Sequence, residues 1–391
     1  IKDPDDFPWP RPDDILATGP HCCHQGIEQV TYDWVRNFFD HYVAYEPGKE
    51  FVYCTHASYM LAVILQKAVG KSVFDYLNEK LFIPLHFDHP TWEVGPDGYN
   101  VGGWGLSITT EDLAKTGQFL LNGGVWEGRR LLNEEWIRQA TSVQITLPHL
   151  QDPHIAGYGY QIWVDEREGC FIFRGAFGQI CAVIPGKDMV VAYTSGANHP
   201  EREIVWDKIW ELLVEKVGVL QPDCSYKEAA VLGEIVSSLQ IPFCQGTASW
   251  LHSQAQPYSG KKYGFGDNRL NITSLSVEFA REAGQPDYIT IGYRDRDFRV
   301  PAGYLQWLPG KTCVKTAETD TDVSLFFESV ACCYAWEEDG YHLRLCFNET
   351  SYINDMTISF QNGGVVLQHS RNCSFFEAST ALLTGVECAG R

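Results

Sequence analysis

Two hydrophobic periods share this chain, and the change from one to the other near residues 221–225 divides it. Upstream, apolar residues recur at three and four, the spacing of one helix face. From Thr55 that face holds Tyr59, Met60, Val63, Ile64 and Ala68, with Gly70 as a stop. Ser72 can cap a second helix through about Leu81. Thr109, Thr110, Glu111 and Asp112 form the capped, acidic first turn of a helix ending at Gly123 and Gly124, and Asn133 caps a shorter one through Ala140. Stretches 158–164, 170–184 and 189–194 are rich in β-branched and aromatic residues and read as three adjacent antiparallel strands. Helical spacing returns over 200–217, where Val205, Ile209, Leu212, Leu213 and Val217 can face a sheet.

Past a helical stretch at 227–239, the sequence alternates at period two, as in 275–279, 341–347 and 356–360. The pattern predicts an α+β domain over residues 1–220 and an all-β antiparallel barrel or sandwich, led by one helix, over 226–391.

Composition narrows the functional classes. Of 391 residues, 45% are apolar, enough for a real core, while 30 basic against 50 acidic residues give a net charge of −20. Such a surface repels phosphate backbones and anionic membranes, so neither nucleic acid nor a membrane is expected as a partner. The longest apolar runs, such as 59–65, fall far short of the roughly 20 residues of a spanning helix. The N-terminus, from Ile1 to Pro10, has no leader-peptide pattern, and a first residue of Ile suggests a trimmed or partial chain. Thirteen cysteines without repeated spacing read as reduced small hydrophobes and point to the cytoplasm, although Asn271, Asn348 and Asn372 each open a glycosylation triplet. His21-Cys22-Cys23-His24 has zinc-ligand residue types at the wrong spacing, because adjacent side chains point apart; no metal is expected there.

Four segments carry the chemical signal: Tyr53-Cys54-Thr55 before the Tyr59 helix, Gly102-Gly103-Trp104-Gly105-Leu106-Ser107 before the Thr109 helix, Gly157-Tyr158-Gly159-Tyr160 opening a strand, and Arg174-Gly175-Ala176-Phe177-Gly178-Gln179 in the next. With 46–53, 70–77, 81–85, 123–136 and 185–191, in this order and spacing, the chain resembles the class C β-lactamase-related serine hydrolases, which include penicillin-binding-protein-like peptidases and esterases. The resemblance runs from about residue 15 to residue 217. It implies a sheet flanked by helices and hydrolysis of an ester or amide, peptide or β-lactam-like, through an acyl-enzyme. A serine of a Ser-x-x-Lys motif attacks the carbonyl, and the lysine with a Tyr-x-Asn tyrosine manages its proton. No metal or organic cofactor is implied.

Residue by residue, the resemblance gives Tyr53 the catalytic tyrosine's place and Thr55 the Asn position, where a hydroxyl replaces two amide donors. Arg174, Gly175, Ala176 and Gln179 fall in the substrate-binding strand, where Lys/His-x-Gly is expected, and Arg174 can offer charge to a substrate carboxylate. Ser107 reads as a turn residue before a helix. The single Ser-x-x-Lys, Ser259 to Lys262, lies among β signals and reads as a polar turn. The resemblance thus places the nucleophile upstream of residue 1, on a segment or separate chain that would also carry strands bordering 170–194. This chain alone is then expected to be inactive. The alternative is a nucleophile-less relative that binds a small acyl or peptide-like ligand without turnover. The second domain is expected to cover the hydrolase domain or to form a homo-oligomer.

Overall fold

The computed structural model describes residues 33–40, 45–46, 48–147, 154–198, 201–217, 226–253, 255–294, 296–312, 328–374 and 380–388. The His21–His24 quartet and the 221–225 boundary lie outside the described residues. The chain divides into two compact units between Ser195 and Gly196.

In the first unit the helices are α1 (Trp34–Phe39), α2 (Thr55–Val69), α3 (Val73–Leu77), α4 (Thr110–Leu121) and α5 (Glu134–Ala140). Their starts are set by short polar side chains that satisfy otherwise orphaned N–H groups. Ser72 Oγ accepts from the Asp75 amide at 2.9 Å, Thr109 Oγ1 from Asp112 at 3.1 Å, and Asn133 Oδ1 from Glu135 at 2.8 Å. For α2 the cap is Cys54, whose Sγ accepts from the Ala57 amide at 3.4 Å. α3 continues as a π-turn through Asn78–Phe82. On α2 the buried face is Tyr59, Met60, Ala62 and Val63; Ile64, expected inside, is exposed.

The sheet is a sequential antiparallel meander of β1 (Ile145–Thr146), β2 (Ile155–Tyr158), β3 (Trp163–Asp165), β4 (Phe171–Gly175), β5 (Gln179–Ile184) and β6 (Met189–Tyr193). The expected strands 158–164 and 170–184 are each broken by a turn. In the second, Phe177 and Gly178 take consecutive φ values of 59° and 88°, the double left-handed geometry of a tight hairpin, which reverses the chain between Gly175 and Gln179. An aromatic at such a position carries no turn signal, so a continuous run of strand-forming residues concealed the reversal. Helix α4 packs Leu120 and Leu121 on the sheet face of Phe171 and Val183.

The second unit contains α6 (Glu201–Ile209), running on as a π-turn through Trp210–Val214, and α7 (Tyr226–Ser238). Contrary to the sequence expectation, α6 and its π-turn bury Trp206, Trp210 and Val214, while Val205, Leu212 and Leu213 are exposed. Two indoles have more apolar area to bury than the aliphatics they displace, and their rings meet edge to face at 5.8 Å.

The all-β part is a closed barrel, which settles the barrel-or-sandwich alternative. It is formed by β7 (Lys262–Phe265), β8 (Ile272–Glu278), β9 (Asp287–Tyr293), β10 (Arg296–Tyr304), β12 (Glu328–Glu337), β13 (Gly340–Phe347), β14 (Ile353–Gln361), β15 (Gly364–Arg371) and β16 (Thr380–Glu387); β11 (Leu308–Thr312) pairs antiparallel with the first half of β12. Neighbours are antiparallel except at the seam, where β10 meets β12 in parallel through Gly303 with Cys333 and Tyr304 with Tyr334. Inward positions such as Leu343, Leu345, Ile358 and Leu367 form one core, as the period of two requires.

Candidate active site

The Tyr53 segment enters α2 beneath an aromatic wall. The Tyr53 ring lies nearly parallel to Trp163 of β3, with centroids 6.3 Å apart and planes 11° apart, and Phe51 packs on Tyr158 at 4.8 Å. Tyr158 meets Trp163 edge to face at 4.9 Å. Burial pushes the Tyr53 phenol up. It pushes Tyr158 further in the same direction, with a smaller contribution from Tyr53 itself. Both are therefore neutral phenols at pH 7 in this arrangement.

Register locates Arg174 relative to this wall. Trp163 pairs with Ile172, and cross-strand partners point to one face; Arg174, two residues on from Ile172, therefore shares the face of Trp163 and Tyr158. Gly175 pairs with Gln179 on the opposite face. The Gln179 amide holds local backbone, donating to Ser195 O at 2.6 Å and to Ala176 O at 3.2 Å. With Ser195 Oγ donating to Phe177 O at 2.6 Å, this fastens the β4–β5 turn. Of the substrate-binding candidates, Arg174 thus shares the Tyr53 wall, while Ala176 and Gln179 build the turn.

Thr55 begins α2 and is covered by the glycine-rich loop. A Cβ on Gly103 would lie 2.5 Å from Thr55 Cγ2, and one on Gly102 would lie 2.4 Å from Ser58 O, so only glycines let this loop reach the helix. Trp92 holds the loop, its indole N–H donating to Val101 O at 2.8 Å and Trp104 O at 3.2 Å. Ser107 sits in a two-residue ladder with Thr91, a backbone role. On the other side, Ser58 Oγ donates to Gln161 Oε1 at 2.9 Å, tying α2 to the β2–β3 turn.

The Ser259–Lys262 tetrapeptide is a turn and no nucleophile seat. Ser259 Oγ accepts from the Phe279 amide at 3.0 Å, while Lys261 and Lys262 pair with Glu387 at 3.1 Å and Asp297 at 2.9 Å. Among the described residues, one group of three metal-ligand side chains comes together, Glu337, Asp339 and His342 in the β12–β13 hairpin. There His342 Nε2 already hydrogen-bonds Asp339 Oδ1 at 2.7 Å. Sequence reasoning passed over Phe51, Trp163 and Gln161; the Gly157–Tyr160 motif was the available signal for the β2 wall.

A helix-flanked antiparallel sheet with a tyrosine before one helix and glycine-rich loops around it defines a class, and comparison with known proteins supplies its name. The sequence profile of the Beta-lactamase family matches residues 6–214, more than half of the chain, and the chain belongs to that family.

Among curated relatives, it is 33% identical over 89 residues to a 6-aminohexanoate-dimer hydrolase of Paenarthrobacter ureafaciens, a match spanning 22% of this chain and 23% of that protein. It is 28% identical over 116 residues to a glutaminase of Psychrobacter cryohalolentis, spanning 29% of this chain and 35% of the relative. The matches thus cover about a quarter to a third of the curated relatives' length. A solved structure from Bacillus anthracis, named as a 6-aminohexanoate-dimer hydrolase by similarity, superposes with a TM-score of 0.41 at 23% identity, covering 45% of this chain and 47% of that one. No helix among the described residues is long and apolar enough to cross a membrane.

Proposed function

We propose that this chain supplies the tyrosine-bearing part of a serine hydrolase that cleaves an ester or amide through an acyl-enzyme, with the nucleophile on a Ser-x-x-Lys segment outside these residues. The observation that carries the reading is the placement of Tyr53: immediately before α2, half-buried, parallel to Trp163 and on the sheet face that also carries Arg174. In this reaction the serine Oγ adds to the substrate carbonyl while its proton passes through the tyrosine to the departing oxygen or nitrogen. Water then cleaves the acyl ester by the reverse proton path. A phenol pushed up by burial is a poor base alone; a neighbouring lysine ammonium, which the Ser-x-x-Lys motif provides, would bring it down. Arg174 suits a substrate with a carboxylate beside the scissile bond. One relative is named for hydrolysing a 6-aminohexanoate dimer and another as a glutaminase, in keeping with a small amide substrate.

The test is intact mass spectrometry after exposure to a fluorophosphonate, on this chain and on a form extended through an upstream Ser-x-x-Lys. Labelling of the extended form alone, at that serine, is the expected result. In that form Tyr53→Phe should lower kcat/KM for a chromogenic ester by about 10²–10⁴-fold, the usual range for a lost proton-transfer group, with an unchanged circular dichroism spectrum. No labelling of either form overturns the hydrolase reading and leaves a binder of acyl or peptide-like ligands.

A further inference from the structure

A second chemical feature lies in the other unit. The segment that leads from α7 to the barrel lies as a strap across the outside of β12. Three kinds of contact hold it: Thr247 exchanges backbone hydrogen bonds with Trp336 at 2.9 and 2.8 Å, Arg344 Nη1 donates to Pro242 O at 2.9 Å, and Tyr304 OH donates to Gly246 O at 3.2 Å. Under the strap are two thiols. Cys244 Sγ is 3.6 Å from Cys333 Sγ, the Cys244 amide points at Cys333 Sγ at 3.5 Å, and Phe243, Trp307 and Ala335 complete the patch. On β12 the alternate residues Val330, Cys332 and Tyr334 fill the barrel interior; Cys333 faces outward and is fully buried because the strap covers it.

We propose that Cys244 and Cys333 are a peroxide-responsive thiol pair, whose closure to a disulfide staples the strap to the barrel wall. The sulfurs are already in contact on two separate elements and need approach by only about 1.5 Å to reach bonding distance. Roles within the pair are unequal. The thiol of Cys333 is brought down, because the hydrogen bond with Cys244, the Cys244 amide and the Arg344 guanidinium together outweigh its burial. That of Cys244 is raised by the same contact. With the Cys244 amide donating to its sulfur at 3.5 Å, Cys333 takes the attacking role and Cys244 the resolving one. The thiolate displaces hydroxide from hydrogen peroxide and becomes a sulfenic acid, the hydroxide taking up the released proton as water. Cys244 sulfur then attacks the sulfenic sulfur and a second water leaves, so two thiols and one peroxide give one disulfide and two waters. Burial selects a small oxidant. Cys332, whose neighbouring side chain points into the barrel, is held out of the reaction; burial raises its thiol.

The experiment treats the reduced chain with hydrogen peroxide, removes the excess with catalase, alkylates under denaturing conditions, and maps peptides without reduction. The expected result is a Cys244–Cys333 cross-linked peptide, two fewer alkylated thiols, and full reversal by dithiothreitol, unchanged in Cys332→Ser. In Cys244→Ser the cross-link should vanish and Cys333 should advance to sulfinic acid. If Cys244 and Cys333 remain alkylated at a dose that fully oxidises the exposed Cys388, or if the cross-link joins other cysteines, the proposal is overturned. The wild-type mapping decides the matter even where a serine variant folds poorly.

Discussion

Asp287 is fully buried on β9, its Oδ1 accepting from the Ala280 amide at 2.8 Å and from Ser249 Oγ at 2.7 Å. Burial outweighs these hydrogen bonds and pushes the carboxyl up to about 6. The folded chain therefore binds this proton more tightly than the unfolded chain, where an Asp titrates near 3.9. Its contribution is fully present below about pH 4 and is lost as pH rises through 6, a loss on the order of 3 kcal/mol. Urea denaturation of the barrel between pH 4.5 and 7 should show this fall, and Asp287→Asn should flatten it; an equal slope in the variant would assign the effect to other groups. Nothing in the sequence around Asp287 marks it, because its desolvation comes from strands far away in the chain. The place of Tyr53 and Thr55 at the start of α2 is legible because their motif and the helix it opens are local. Trp163 and Gln161, about a hundred residues further on, reach Tyr53 and Ser58 only through the sheet.

At the scale of elements, capping chemistry was readable and packing partners were not. Ser72, Thr109 and Asn133 begin helices where their side chains can reach the second or third following amide, a property of a few consecutive residues. Helical spacing on α6 permits more than one apolar stripe, and the larger indoles take the buried one in place of the expected aliphatics. The Phe177–Gly178 reversal leaves no mark in the sequence because its geometry is imposed by the pairing of β4 with β5 rather than by residue preference. α7 follows the expected period, yet its described side chains are all exposed, among them Val231, Leu232, Ile235 and Val236. A 13-residue helix lacking buried contacts is marginal in water. Its amides should exchange with deuterium within seconds to minutes, against hours for β13, β14 and β15. Protection of α7 equal to that of the barrel would show that its apolar stripe is covered in solution.

For the whole molecule, net charge has a thermodynamic consequence of its own. At −20 the folded chain repels itself, and salt shortens the range of that repulsion. Raising ionic strength from about 0.02 to 0.2 M should therefore raise Tm by a few degrees; a fall would mean that local ion pairs outweigh the net field. The barrel shows the same division between local and global causes. Period-two alternation announced strands with one buried face, but nine strands can stack as two sheets or close on themselves, and the parallel contact of β10 with β12 decides for closure. By itself the sequence determined the starts at Ser72, Thr109 and Asn133, the strand periods, the family and the place of Tyr53 just before α2, since each depends on neighbours within a few residues or on a motif in fixed order. The closed barrel, the aromatic wall behind Tyr53, the raised Asp287 and the contact of Cys244 with Cys333 were decided by the tertiary structure alone, because each joins residues distant along the chain, and sequence spacing does not record distance in space.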